Sequence, residues 1–265
     1  MRVGLVLRNS GADGVDAVRR IADLAAGLSY DAVWASDHVL APADFAGRYG
    51  KEWLDPFVAL AVALERAPQL ELGLSVLVVP YRPALPTARA LASLQELSGG
   101  RMTVGVGSGW LEAEFAALHE DFADRGVTTD ERIEVMRHAL RGERDDFLAV
   151  QPPIPFLAAG NGTRILRRAS VLEGWHPIAQ TPEEIRAGVA ALPDNPRVAL
   201  RTRLGLGSDR RDRPLFGTHD EVSADLRAYA SAGVTDLVVD HSTDDLTDIE
   251  RSIRELDKLI GEIRA

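Results

Sequence analysis

Short apolar runs alternate with longer amphipathic stretches along the whole chain. Val3 to Leu7 is apolar without interruption and predicts a buried strand. The turn Asn9-Ser10-Gly11 follows it. From Asp13 to Leu28 the apolar residues Val15, Val18, Ile21, Ala22 and Ala25 recur at helical spacing, with charges on the opposite face. The alternation then repeats. Further strands are predicted at Ala32–Ala35, Leu70–Val79, Met102–Val106, Ile154–Ala159, Gly174–Ile178, Val198–Leu204 and Asp236–Asp240. Helices are predicted at Asp55–Arg66, Ala84–Leu97, Leu111–Leu118, Thr129–Leu140 and Thr163–Leu172, then from Thr181, at Thr218–Ala232 and at Asp244–Ile263. End signals support them. Asp55-Pro56 is an N-cap before a first-turn proline, Thr218-His-Asp-Glu221 is a capping box, and Gly233 is a C-terminal stop. Ser36 to Asp55, broken by Pro42, Gly47 and Gly50, reads as a loop, and Arg141 to Pro155 as irregular chain.

Strands that are apolar throughout fit a sheet covered on both faces. Eight strand–helix units predict the α/β class, as a closed (β/α)8 TIM barrel, which takes about 250 residues. The chain has 265 residues, so residues 1–265 are expected to form a single barrel domain, with no linker or low-complexity segment dividing them. A doubly wound open sheet is the competing arrangement.

Composition narrows the chemistry. Lys and Arg number 30 against 40 Asp and Glu, a net charge of 30 − 40 = −10, which argues against a broad nucleic-acid surface. The absence of cysteine removes disulfides, zinc–cysteine sites and thiol nucleophiles. No apolar run is long enough for a membrane span, and Val3–Leu7 is too short for a signal peptide. The expectation is a cytoplasmic protein whose partner is a small molecule.

In a barrel of this kind the chemistry sits where the strands end. Those positions include Asp37 and His38, then Tyr81, then Gly107-Ser108-Gly109-Trp110, then Gly160-Asn161-Gly162, then His176 and His241. The other histidines, His119, His138 and His219, read as helix or loop surface. Two glycine turns on neighbouring strands lead into helices, an arrangement suited to holding a phosphate between them. Tight turns alone are the plainer reading, and Gly205-Leu-Gly207-Ser208 is a second phosphate candidate. His38 is a candidate proton carrier. The plainer reading has Asp37 capping the loop and His38 filling a polar niche. Tyr81 and Trp110 suit a flat aromatic ligand, or simply line the barrel mouth. No spacing of His38, His176 and His241 supports a metal site, and none is assigned.

Several segments together resemble the bacterial luciferase-like superfamily, and its coenzyme F-420-dependent oxidoreductases in particular. They are Tyr30-Asp-Ala-Val-Trp34-Ala-Ser-Asp37-His38, Pro80-Tyr81-Arg82-Pro83, Leu94-Gln-Glu-Leu-Ser-Gly-Gly-Arg101 and Gly105-Val-Gly-Ser-Gly-Trp110 with Glu114. Asp130-Glu131-Arg-Ile-Glu-Val-Met136, Ala158-Ala-Gly-Asn-Gly162, Glu173-Gly-Trp175 and Gly217-Thr-His-Asp-Glu-Val222 extend the likeness over most of the chain. The resemblance implies a luciferase-like barrel, commonly a homodimer, with a deazaflavin or flavin lying across the strand ends. It implies that Asp37 contacts the ring and that His38 is the catalytic proton donor or orients substrate. It implies that Gly107, Ser108, Gly109, Gly160, Asn161, Gly162 and Thr163 surround the phosphate. Val78 and Val79 fall where members carry a bulge with a cis peptide behind the ring, and Tyr81, Trp110 and His176 would shape the substrate pocket. The Asp-His ending of the second strand points to F-420 over FMN. The expected reaction is hydride transfer between F-420 and a small organic substrate. An FMN-dependent monooxygenase served by a flavin reductase is the alternative, and a barrel that binds a cofactor without turnover is another. Trp110 stands where sugar-phosphate dehydrogenases of this branch have Glu, which argues against that substrate. Residues 141–155 replace a longer insertion, so a more open site is expected.

Overall fold

Side chains of successive strand residues point to opposite faces, so each strand here is read twice. The computed structural model of the chain describes residues 1–42, 50, 52–147, 149–193, 195–208 and 213–264; Gly47 and Lys51 lie outside the described residues. The first half runs β1 (Arg2–Val6), α1 (Gly14–Gly27), β2 (Ala32–Ala35), α2 (Pro56–Arg66), β3 (Glu71–Val78), α3 (Ala84–Leu97), β4 (Met102–Gly107), α4 (Glu112–Leu118) and α5 (Arg125–Leu140). The second half runs β5 (Phe156–Ala159), α6 (Thr163–Ala169), β6 (Gly174–His176), α7 (Pro182–Ala190), β7 (Arg197–Leu206), β8 (Phe216–Gly217), α8 (His219–Ala232), β9 (Asp236–His241) and α9 (Leu246–Arg264). Strands β1 to β7 pair in chain order, β7 pairs with β9, and β9 pairs with β1, all parallel. Eight strands therefore close into the expected barrel. Among the described residues the added strand β8 pairs only with the end of β7.

The outward faces carry the bulk. Leu5, Val33, Leu72, Val104, Leu200 and Leu237 are buried against the helices in one continuous core. The inward faces are small or polar around one large ring. Trp34 forms its own cluster with Val6, Ala32, Leu157, Ala199 and Val238. It fits because β3 offers Gly73, where a Cβ would lie 2.1 Å from Trp34 Cε3. Near the strand starts, Arg197 plugs the interior by binding Asp236 at 2.9 Å, Glu71 at 2.6 Å and Thr103 at 2.8 Å.

Two departures from the sequence reading affect the site. The strand irregularity expected at Val78–Val79 lies earlier. The register of β3 against β4 shifts between Leu74 and Leu77, and the Ser75–Val76 peptide is cis. Val78 is still laddered opposite Gly107, and Val79 begins a single 3-10 turn ending at Tyr81. Pro80 has no N–H to give to a ladder, so the chain turns there. The second departure concerns Gly205, which belongs to β7. A Cβ on it would lie 2.3 Å from Phe216 on β8, so this glycine admits a neighbouring ring. The segment 141–155 has no helix or strand among its described residues, as expected, and Phe147, Val150 and Ile154 anchor it in the core.

Candidate active site

The carboxyl ends of the strands open into a cleft of about 2090 Å³. Asp37, His38, Val78, Tyr81, Gly107, Ser108, Gly109, Trp110, Gly160 and Asn161 line it, whereas Val79, Gly162, Thr163 and His176 do not.

The floor is polar. Arg201 reaches across the interior from β7, donating to Asp240 at 2.8 Å, to Ser36 Oγ at 3.1 Å and to the Ser75 carbonyl. His176 lies beneath this floor. It is fully buried, stacks on Trp34 at 5.5 Å and shares a 2.8 Å hydrogen bond between Nε2 and Ser75 Oγ. Burial, aided by the nearby Arg201 charge, pushes its pKa down to about 3. The expectation that His176 shapes a substrate pocket is therefore corrected: it is a neutral core residue. The third strand-end histidine, His241, also meets the backbone, through Nε2 and the Val6 carbonyl at 2.9 Å.

One wall holds the Asp37–His38 pair, and the two side chains diverge. Asp37 is 2 % exposed; its Oδ2 accepts from Val78 N at 3.0 Å and from Arg82 at 2.6 Å, and Arg82 also binds Asp55 at 2.9 Å. Burial pushes its pKa up and the Arg82 charge opposes that. Oδ1 is buried with no hydrogen-bond partner. A buried acceptor left open on a cleft wall suits a ligand N–H.

His38 turns the other way. Its Nδ1 lies 3.0 Å from Glu114 Oε2, and its ring meets Trp53 edge-on at 4.6 Å and Trp110 at 6.3 Å. The Glu114 side chain is fully buried. It accepts from Tyr81 Oη at 2.7 Å, Val39 N at 2.6 Å and Leu40 N at 3.0 Å. Burial alone would raise its pKa, but the hydrogen bonds from His38, Leu40, Tyr81 and Val39 outweigh it and hold the carboxylate below its usual range. An ionised Glu114 carboxylate can only accept, so the hydrogen bond between them places a His38 proton on Nδ1. Tyr81, expected in the substrate pocket, thus spends its hydroxyl on Glu114. The sequence motif contained Glu114 four residues after Trp110, but nothing in the spacing tied it to His38 across 76 residues.

Beside this wall runs the glycine turn after β4. A Cβ at Gly109 would lie 2.8 Å from Val78 and 2.9 Å from Phe115, so the turn passes where only glycine fits. Below it Arg168, 7 % exposed, is fixed by Asp130 at 2.6 Å and by the Gly126 carbonyl at 3.2 Å, with Nη1 at 3.4 Å from Ser108 Oγ. Sequence reasoning missed Arg168, which looked like one more helix arginine. Its cation beside a hydroxyl and a glycine turn suits an oxyanion such as phosphate. Asn161 is a brace instead: its amide ties both the N–H and the carbonyl of Ile178. Gly162 and Thr163 are exposed and outside the cleft, so the four-residue turn after β5 does not converge on one point. The residues that fit a ring with a phosphate are therefore Asp37, Gly107, Ser108, Gly109 and Arg168. Among the described residues no cluster of His, Asp and Glu could hold a metal ion.

Comparison with known proteins bears on the family and the fold. A protein of Mycobacterium tuberculosis without assigned function is 28% identical over 208 residues, covering 72% of this chain and 68% of its own length. The FMNH(2)-dependent dimethylsulfone monooxygenase of Pseudomonas fluorescens is 32% identical over 137 residues, covering 51% of this chain and 35% of that enzyme. The structure of monooxygenase RslO1 from Streptomyces bottropensis superposes with a TM-score of 0.83 at 18% identity, covering 100% of both chains. An F420-dependent secondary alcohol dehydrogenase in complex with an F420-acetone adduct superposes with a TM-score of 0.79 at 15% identity, covering 100% of this chain and 99% of that one. At those identities the structures share the fold. Residues 1–201 match the profile of the luciferase-like monooxygenases, and with the barrel and its cleft this places the chain in that family.

Proposed function

We propose that the chain transfers a hydride between coenzyme F-420 and a small organic substrate, with His38 exchanging the accompanying proton. The observation that carries this reading is the His38–Glu114 pair at the cleft wall. A bound deazaflavin supplies the hydride chemistry, and the protein supplies orientation and proton control. Asp37 Oδ1 would accept from the ring, and Ser108, the Gly107–Gly109 turn and Arg168 would hold the phosphate. Glu114 keeps the His38 Nδ1 proton in place. Nε2 then donates the proton that balances a hydride gained by the substrate, and takes it back in the reverse direction. Trp110, 64 % exposed on the rim, would border the substrate. Asp37-His38 at the end of β2 favours F-420. A monooxygenase using FMN and a flavin reductase is the second reading, supported by the FMNH(2)-dependent relative. Homodimerisation belongs to the proposal on the family resemblance.

The test is His38→Ala. The cofactor Kd should stay within about threefold while kcat falls by about 10²- to 10⁴-fold, the usual yield of a positioned acid or base. Loss of both in equal measure would remove His38 from the proton step. Tight cofactor binding with no turnover on a broad substrate panel would instead mark a binding barrel.

A further inference from the structure

Three histidines sit at strand ends, and the proton chemistry uses one of them. His176 is sealed in the core, and His38 is held by Glu114. His241, the last residue of β9, is half-buried and lines the cleft.

Strand register gives its depth. On β1, Leu5 pairs with Val239 and Val6 pairs with Trp34. His241 therefore lies level with Leu7, while His38 lies level with Ser10 on the other side of β1. At about 3.3 Å per residue, His241 is ~10 Å deeper. Strand β9 closes the barrel between β7 and β1, so His241 stands across the barrel from β4 and its glycine turn.

The hydrogen bond to Val6 gives its tautomer. Nε2 lies 2.9 Å from the Val6 carbonyl. A carbonyl only accepts, so Nε2 carries the proton and Nδ1 keeps its lone pair. This is the reverse of His38. The His241 Nδ1 has no hydrogen-bond partner among the described residues, and unlike the Nδ1 of His176 it is not sealed from solvent. The charges around it are already paired, Arg8 with Asp13 and Arg201 with Asp240 at 2.8 Å. Burial, with the Arg8 and Arg201 charges, holds the His241 pKa below its ordinary value, against the pull of Asp240 and the Val6 carbonyl. The ring is neutral at pH 7, and its open nitrogen is an uncharged acceptor.

We infer that His241 is the acceptor of an inner subsite for a hydroxyl group, carried by a small neutral alcohol bound deep in the cleft. An O–H fits the open lone pair. An ionised carboxylate or phosphate has no proton to give and would set its own lone pairs against it. A ketone has none to give either. Ser36, Ser75 and Thr202 line the same cleft and add neutral hydroxyls rather than charge. The inference requires neither F-420 nor hydride transfer.

The test is imidazole nitrogen NMR of the full chain carrying ¹⁵N-labelled histidine, titrated with cyclohexanol, cyclohexanone and cyclohexanecarboxylate. The His241 signals are those lost in His241→Gln. Nδ1 should be unprotonated in the free protein, and cyclohexanol alone should shift it with saturation. Cyclohexanol should bind about three- to tenfold more tightly than cyclohexanone, the yield of one neutral hydrogen bond. His241→Leu should abolish that preference, and His241→Gln, whose amide oxygen still accepts, should keep part of it. The shift in the parent chain decides the matter even where a variant fails to fold. Persistence of the shift with F-420 or FMN bound assigns the hydroxyl to the substrate, and displacement assigns it to the side chain of the cofactor. A protonated Nδ1, a signal unmoved by the alcohol, or an equal preference in His241→Leu would overturn the inference.

Discussion

Glu114 shows how one buried carboxylate can be kept ionised and made useful. Four donors converge on it, and each charge-assisted bond offsets part of the desolvation cost. Glu114→Gln removes the charge that fixes the His38 proton on Nδ1. The expected result is a loss in kcat on the order of tenfold to a hundredfold with cofactor affinity nearly unchanged; a purely structural role would lower both. The carboxylate is present above its unfolded value of about 4.3, and the His38 orientation is lost as pH falls through the lower folded value. His176 behaves oppositely in charge but alike in direction. It is neutral in the fold down to about 3, while a free imidazole protonates near 6.5. Between those values the unfolded chain binds the additional proton, so stability is full above about pH 6.5 and declines as pH falls toward 3. His176→Asn should flatten the fall in unfolding free energy between about pH 6.5 and 4; an unchanged slope would show that His176 does not control it. The sequence made His38 legible as a strand-end histidine but misplaced His176, because a Gly-Trp-His run of three residues does not say which face meets solvent. Glu114 and Arg168 were illegible as site residues for another reason. Their partners are distant in sequence, and only barrel closure brings them together.

The strands and helices were largely legible, because the outward faces carry the large aliphatic residues and caps mark the ends. Thr218 shows the clearest case, with its Oγ accepting from Glu221 N and the Glu221 carboxylate accepting from Thr218 N at 2.8 Å. Thr218→Ala should cost about 1 kcal/mol in a urea melt. A value near zero would mean the capping box is not formed. The features that escaped the sequence are local breaks in pattern. The bulge at Ser75–Val76 has no glycine or proline to announce it, and β8 is too short for any periodicity. Interior glycines were likewise read as turn or strand residues without a role. Gly73 has one: it leaves room for Trp34, and Gly73→Ala should destabilise by about 1–3 kcal/mol through overpacking. A thermal melt unchanged from the parent would mean that Trp34 can move aside.

At the scale of the molecule, an acidic protein carries its cleft at the carboxyl ends of eight strands. Barrel closure brings Asp37, His38, Ser108 and Arg168 to one cleft, with Glu114 buried against His38. None of the helices among the described residues is long and apolar enough to cross a membrane. The family and the fold are those of luciferase-like oxidoreductases. The most direct measurement is a fluorescence titration of the purified chain with F-420 and with FMN under identical salt. The account predicts a clear preference for F-420, weakened by Asp37→Asn at the ring and by Arg168→Ala at the phosphate. Preference for FMN would replace hydride transfer from a deazaflavin with flavin chemistry, and binding of neither would contradict the assignment of the cleft.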